Sequence, residues 1–271
     1  MELRLTPDGR RYLAAAQGHR LPSSFHLRWL LPLLLGVNLL RWVWVSRVAL
    51  VAMLPGGFVY GMGMGLNWQQ SLFVAVAPLG LAGVFRFPWS APILVDPTAL
   101  CLCVWAGALA VHGWWPQALV LTFVAAGIKE PSPFFVAVFA WNPLYLVALV
   151  VPLARWLFWK QGEDVLDEKN AAILAHPLRA GWEWHKDDLM DASLWVLPWG
   201  VLLVGLSGPS PQLLVALALG YAQCVIATDT VRLYQWSWPV LAVAAATVIP
   251  IPVLLLAAVA HWANPWRGSG V

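Results

Sequence analysis

The chain has 271 residues, of which 61% are hydrophobic and only 11% charged, and its mean hydropathy is +0.71. That leaves too little polar surface to cover a water-soluble globule of this length, and a formal net charge of +3 lacks the basic excess that nucleic-acid binding needs. The composition predicts an all-α, polytopic transmembrane helical bundle, because a helix satisfies its own backbone in lipid; the alternating ten-residue segments of a barrel are absent.

In chain order, residues 1–28 carry Arg4, Arg10, Arg11, Arg20 and Arg28 against Glu2 and Asp8, and read as a basic, partly helical cytoplasmic arm beside anionic lipid. No apolar core with a small-residue cleavage site stands there, so no removable signal peptide is expected. Residues 29–158 form the first half of the membrane bundle, 159–191 a polar cytoplasmic loop, 192–262 the second half and 263–271 a short tail. Within these halves about nine spans, with a range of seven to nine, are expected near 29–46, 48–66, 69–85, 97–112, 114–128, 133–158, 192–206, 212–228 and 240–262. Some are short or re-entrant: 97–112 and 114–128 fall below the roughly 20 residues that cross a hydrocarbon core. The glycines at 57, 61, 63 and 65 permit close helix approach or a broken segment, with close packing the simpler account. Pro97 suits the first helical position, which puts Asp96 at or just outside an N-cap, and Asn142-Pro143 reads as a kink.

With the N-terminus inside, this topology puts eleven Lys and Arg residues on the inner side, Arg28 and Arg232 among them. Five, including Arg86 and Lys129, fall on the outer side. The bias fits a protein of the cytoplasmic membrane with its N-terminus in and its C-terminus out. Arg86, Asp96, Lys129 and Glu130 then share the outer face.

Most of the nineteen tryptophans fall at expected span ends, from Trp29, Trp68 and Trp89 to Trp236, Trp238 and Trp266, as an interfacial belt would. A minority, with Trp114 and Trp115 the candidates, would stack on a sugar or prenyl chain. Cys101, Cys103 and Cys224 lie in apolar segments and suggest neither a disulfide framework nor a metal site. His112 reads as a hydrogen-bonded interfacial residue, and His176 and His185 fall in the polar loop. Asp187-Asp188-Leu189-Met190-Asp191 has the spacing of the magnesium-diphosphate motif of prenyltransferases, but the partner acidic motif is missing, Asp229 standing alone. An acidic start to the helix after residue 191 accounts better for it.

Three motifs carry a resemblance: RWLLP at 28–32, DPTALCLCVWAGALAVHGWWPQALVLTFVAAGIKEP at 96–131, and AHPLRAGW at 175–182. Their order resembles bacterial relatives of the C-fold glycosyltransferases, in which an Arg-x-Leu-x-Pro entry precedes an Asp-Pro helix start, a Trp-containing hairpin and a basic-Glu pair. The resemblance implies inverting sugar transfer on the outer face from a polyprenyl-phosphate-linked donor. Under it Asp96 would act as general base or orient the acceptor, while Arg86 and Lys129 would hold the donor phosphate. Glu130 would orient Lys129 or help bind a divalent cation, no metal site being otherwise expected. The alternatives are a non-catalytic scaffold subunit with protein partners in the membrane, and an intramembrane prenyltransferase-like enzyme. Lipid is a partner in every case and nucleic acid in none.

Overall fold

The computed structural model describes residues 6–19, 26–159, 177–225 and 230–265. Among these the fold is all-α, with no strand. The remainder of the expected polar loop, including His176 and the start of AHPLRAGW, lies outside the described residues, as do Asp229, Trp266 and most of the tail.

Five stretches of more than twenty residues are free of Asp, Glu, Lys and Arg: 48–85, 97–128, 131–154, 192–228 and 233–266. Each contains a chain reversal. Helix α1 (Pro7–Ala16) and the short α2 (Leu30–Leu35) precede the first hairpin, which pairs α3 (Leu39–Gly63) with α4 (Trp68–Val76) and its continuation through α5 (Phe87–Ser90). The second pairs α6 (Asp96–Val111) with α7 (Trp115–Ile128). The third sets α8 (Ser132–Phe139) against a 3-10 helix leading into α9 (Val150–Phe158). After α10 (Pro177–His185), the fourth runs from α11 (Ala192–Trp195) and the 3-10 segment Leu197–Ser207 into α12 (Pro211–Ala222). The last pairs α13 (Thr230–Tyr234) and α14 (Trp238–Val248) with α15 (Leu254–Trp262).

Contacts between the reversals place all five toward one end. His112 reaches the Val59 carbonyl at 3.0 Å, Gln212 Nε2 donates to the carbonyls of Val138 (2.8 Å) and Phe139 (3.0 Å), and Gln70 Nε2 donates to Ala246 O at 2.9 Å. The reversals close with neutral devices. Asn67 forms a capping box with Gln70, Asn142 and Ser210 accept from the amides of Leu144 and Leu213, and Gly113 supplies a φ of +82°. Charged residues gather at the opposite end, where the hairpins open.

This arrangement changes the expected span list. The segments 29–46 and 48–66 are not two spans: from Leu39 onward they are one helix, about 37 Å long, that runs through Pro55. The segment 133–158 is not a kinked span but a hairpin, reversed where Trp141 takes a φ of +49°. The segment 240–262 bends by 120° at Ile249-Pro250. Among the described residues one helix, α3, is long and apolar enough to cross a membrane, and up to three spans meet that test if each bent pair is counted as one. Of the expected Trp belt, Trp68, Trp114, Trp115, Trp159 and Trp262 are exposed at the two ends, but Trp236 and Trp238 are buried in the core beside Trp42 and Trp199.

Gly83 sets the packing of the last hairpin. A Cβ there would meet the Arg232 Cα at 2.5 Å, and the Gly83 amide donates to Gln235 Oε1 at 2.9 Å while Gln235 Nε2 reaches Pro198 O at 3.0 Å. Because the clash is with backbone, Gly83→Ala is expected to cost about 1–3 kcal/mol, read as a lowered melting temperature of the detergent-solubilised protein.

Candidate functional site

At the charged end, four regions distant in sequence meet. Asp96 is the first residue of α6, with Val95 at the cap, and its carboxylate turns sideways onto the Lys129 ammonium in direct contact. The two are 3% and 2% exposed. Lys129 also lies 4.9 Å from the Trp236 ring centroid. Arg232, on α13, brings its Nε to 3.9 Å from the other Asp96 oxygen and donates from Nη2 to Asp8 on α1 at 3.0 Å. Asp8 also accepts from Arg11 at 3.4 Å. Glu130 is held bidentately by Arg28, with contacts of 2.9 and 2.7 Å, and Arg28 donates to the Tyr12 hydroxyl at 3.3 Å. Tyr12 stacks on Trp42, with ring centroids 6.1 Å apart.

Each residue arrives for a local reason. Asp96 precedes Pro97, which stands in the first turn of the helix, where an amide would have no intrahelical partner to lose. Lys129 and Glu130 occupy the extended turn between α7 and α8, and Pro131-Ser132-Pro133 restarts the chain as a helix at once. Arg28 lies just before α2. On α1, Thr6 caps the helix by accepting from the Gly9 amide, and Asp8 and Arg11 share one face one turn apart.

The geometry brings together Asp96, Lys129 and Glu130 and separates the other expected site residues. Arg86 donates to the Trp262 and Asn264 carbonyls, closing the C-terminus of α15. Trp114 and Trp115 sit at the far end of the α6–α7 hairpin, about 24 Å along α6 from Asp96, and are exposed. They do not share a site with the cluster. The placement of Arg28 and Arg232 on the face opposite Asp96 is overturned by their contacts with Glu130 and Asp96, since one span had been counted too many before residue 86. Asp8, Arg11, Tyr12 and Arg232 were not singled out from sequence. Of these, Arg232 alone carries a signal in the sequence: it stands at the edge of the uncharged stretch 233–266 and therefore at a hairpin base.

A divalent cation does not fit here. Both Glu130 oxygens are taken by Arg28, and no group of three or more His, Cys, Asp or Glu side chains with metal-ligand geometry occurs among the described residues. The Asp187-Asp188-x-x-Asp191 run is exposed, and Asp191 caps α11 by accepting from the Ser193 amide at 2.8 Å. His185 is hydrogen-bonded to Cys224 O at 3.1 Å, and the three cysteines are buried and in no disulfide among the described residues.

Such a cluster does not earn its place through stability. Withdrawing ions from water costs several kcal/mol each, and an apolar replacement of a whole buried pair is often neutral or stabilising, whereas removal of one partner costs about 3–5 kcal/mol. What the arrangement can do chemically is present a carboxylate beside several guanidinium and ammonium groups in surroundings of low dielectric. There an anionic group exchanging for a carboxylate would be held strongly.

No family model matches the chain, and comparison with curated proteins and with solved structures gives no match.

Two outcomes are expected. Lys129→Met alone should lower stability by about 3–5 kcal/mol, and adding Asp96→Leu should restore much of it, because Arg232 retains Asp8; paired thermal melts check this. Hydrogen bonding to Ser193 holds the exposed Asp191 carboxyl below the ordinary carboxylate range. A depressed folded-state value means the cap is fully present above the unfolded value and is lost as pH falls through the folded one. The Ser193 amide resonance should therefore titrate at lower pH than an ordinary aspartate.

Proposed function

We propose that the protein is an integral, multi-pass membrane protein that transfers a sugar from a polyprenyl-phosphate-linked donor, with the buried ionic cluster as its reaction centre. The observation that carries this reading is the convergence of Arg28, Asp96, Lys129, Glu130 and Arg232 at one end of the bundle. Ionisable groups inside an apolar bundle mark substrate pathways more often than they supply stability. The Arg-x-Leu-x-Pro entry and the Lys-Glu pair of the C-fold resemblance meet here through Arg28 and Glu130.

The face differs from the one the sequence suggested. All five uncharged reversals lie toward one end, and among the described residues most Lys and Arg gather toward the other. By the positive-inside rule the charged end faces the cytoplasm, with α1 and the end of α15 both inside. The shorter hairpin limbs, about 21–24 Å for α6 and α7, are accommodated by local thinning or by dipping from that face.

In the reaction, the acceptor hydroxyl oxygen bonds to the anomeric carbon while the bond from that carbon to the phosphate oxygen breaks. Asp96 takes the hydroxyl proton. The electron pair leaves with the polyprenyl phosphate, whose charge Lys129 and Arg232 neutralise. For this, Lys129 must pass from Asp96 to the phosphate, which frees the carboxylate as the donor binds. Glu130 acts by holding Arg28 and the turn that carries Lys129.

A second reading, a scaffold subunit, is favoured by the direct contact of Asp96 with Lys129, which neutralises both without a ligand.

Two measurements decide. A C-terminal fluorescent-protein fusion should fluoresce and a C-terminal alkaline-phosphatase fusion should be inactive; the opposite pair of results would put the charged end outside. In liposomes containing a polyprenyl-phosphate sugar, Asp96→Asn should lower transfer about 10²–10⁴-fold. Transfer undiminished in this variant would remove Asp96 from the chemistry, and absence of transfer by the native protein together with a co-purifying membrane partner would establish the scaffold.

A further inference from the structure

A cavity of about 490 Å³ opens between α10, the turn at 186–190, α11 and α12, well within the size range of small-molecule sites. Its walls include the rings of Trp182, His185, Trp195 and Tyr221, together with Leu178 and Leu189. Three of these rings have a polar atom engaged with protein. His185 Nε2 meets Cys224 O at 3.1 Å, Trp195 Nε1 donates to Asp188 O at 2.6 Å, and the Tyr221 hydroxyl donates to Trp195 O at 2.5 Å. What the walls offer a guest is therefore apolar surface and aromatic faces.

The sequence around the mouth carries the opposite charge to most of this end of the protein. Glu183 near the end of α10, and Asp187, Asp188 and Asp191 on the turn that bears Leu189, are exposed; against these four acids stand two cations, Lys186, which pairs with Glu183 at 2.6 Å, and Arg179 on α10, whose charge also acts on Glu183. An apolar, aromatic-walled cavity repels a free inorganic ion, and an acidic rim repels a fatty carboxylate or a lipid phosphate. Both features suit a molecule with a hydrocarbon body and a positive head, because aromatic faces attract ammonium groups and carboxylates at the mouth raise their local concentration.

We infer that this cavity binds an amphipathic cation, a single hydrocarbon chain ending in an amine or quaternary ammonium. The chain fills the apolar interior, and the head sits among Trp182, Trp195 and the carboxylates of the 187–191 turn. At about 30 Å³ for each water-sized group, the volume accepts a chain on the order of ten to sixteen carbons. The site is independent of the Asp96 cluster and of the sugar-transfer reading.

The test uses the full chain purified in a nonionic maltoside detergent, with labelled decyltrimethylammonium as probe in equilibrium dialysis. Saturable binding of one probe per chain is expected, weakening as salt is raised. Trp182→Leu, at an exposed ring, should weaken it about twofold to fivefold. The double variant Asp187→Asn with Asp188→Asn should weaken it by a similar factor for each carboxylate. Melting temperatures of these surface variants should match the native protein, so lost binding is not lost folding. Uncharged decanol should displace the probe poorly. Displacement by decanol as effective as by unlabelled cation would overturn the assignment in favour of a plain hydrocarbon site. Non-saturable uptake, or binding unchanged in both variants, would overturn the site altogether.

Discussion

An ionised group buried among apolar side chains is intolerable unless it finds a partner or reaches water, and the arrangement of the described helices follows from how this chain meets that constraint. The uncharged stretches become hairpins whose reversals are closed by Asn, Ser, Gly and Pro rather than by ionised caps. Among the described residues most charges then fall near the hairpin bases, exposed or paired, while Arg47, within α3, lies against Trp89. The bundle is polarised in consequence, one end built from neutral turns and the other from salt bridges.

The paired residues do more than neutralise one another. Asp96, Lys129, Glu130, Arg28, Arg232 and Asp8 tie α1, the second hairpin and the last hairpin into one contact. Since a buried ionic cluster is a poor way to gain stability, its use lies in specificity or in chemistry, and both draw on the same low-dielectric setting. The aromatic rings around it, Trp236 beneath Lys129 and Phe87 beside Arg232, keep that setting dry while still attracting the cations. The acidic turn at 187–191 stands apart, exposed and beside an apolar cavity, so the charged end carries two surfaces of different character.

The helical class was legible from composition, and the α6–α7 hairpin from its Pro97 start and Gly113 turn. The pairing of Asp96 with Lys129 was anticipated only as a shared face. What hydropathy alone could not resolve was whether a long apolar run is one limb or two. Residues 29–66 look like two spans because Arg41 and Arg47 interrupt the first, yet Arg41 is exposed and Arg47 lies against Trp89, and the helix continues past both. Conversely, 133–158 and 240–262 look like single spans because their reversals at Trp141 and Pro250 contain no charge. One miscounted span moved Arg28 to the wrong side and hid its pairing with Glu130. The uncharged stretches themselves, read as hairpins, would have recovered that side. Arg86 was misassigned for another reason: nothing in its neighbours signals that its partners are carbonyls at the end of α15.

The ionic contacts also impose an order on biosynthesis. Arg28 is 102 residues ahead of Glu130, and Asp8 is 224 residues ahead of Arg232. During translation the N-terminal region, its Asp8 and Arg11 one turn apart on α1, therefore waits for its distant partners until the second hairpin has been made. It gains its remaining contact only when the last hairpin emerges. The N-terminal helix is thus the final piece to dock, and the bundle is fastened by the segment that was made first.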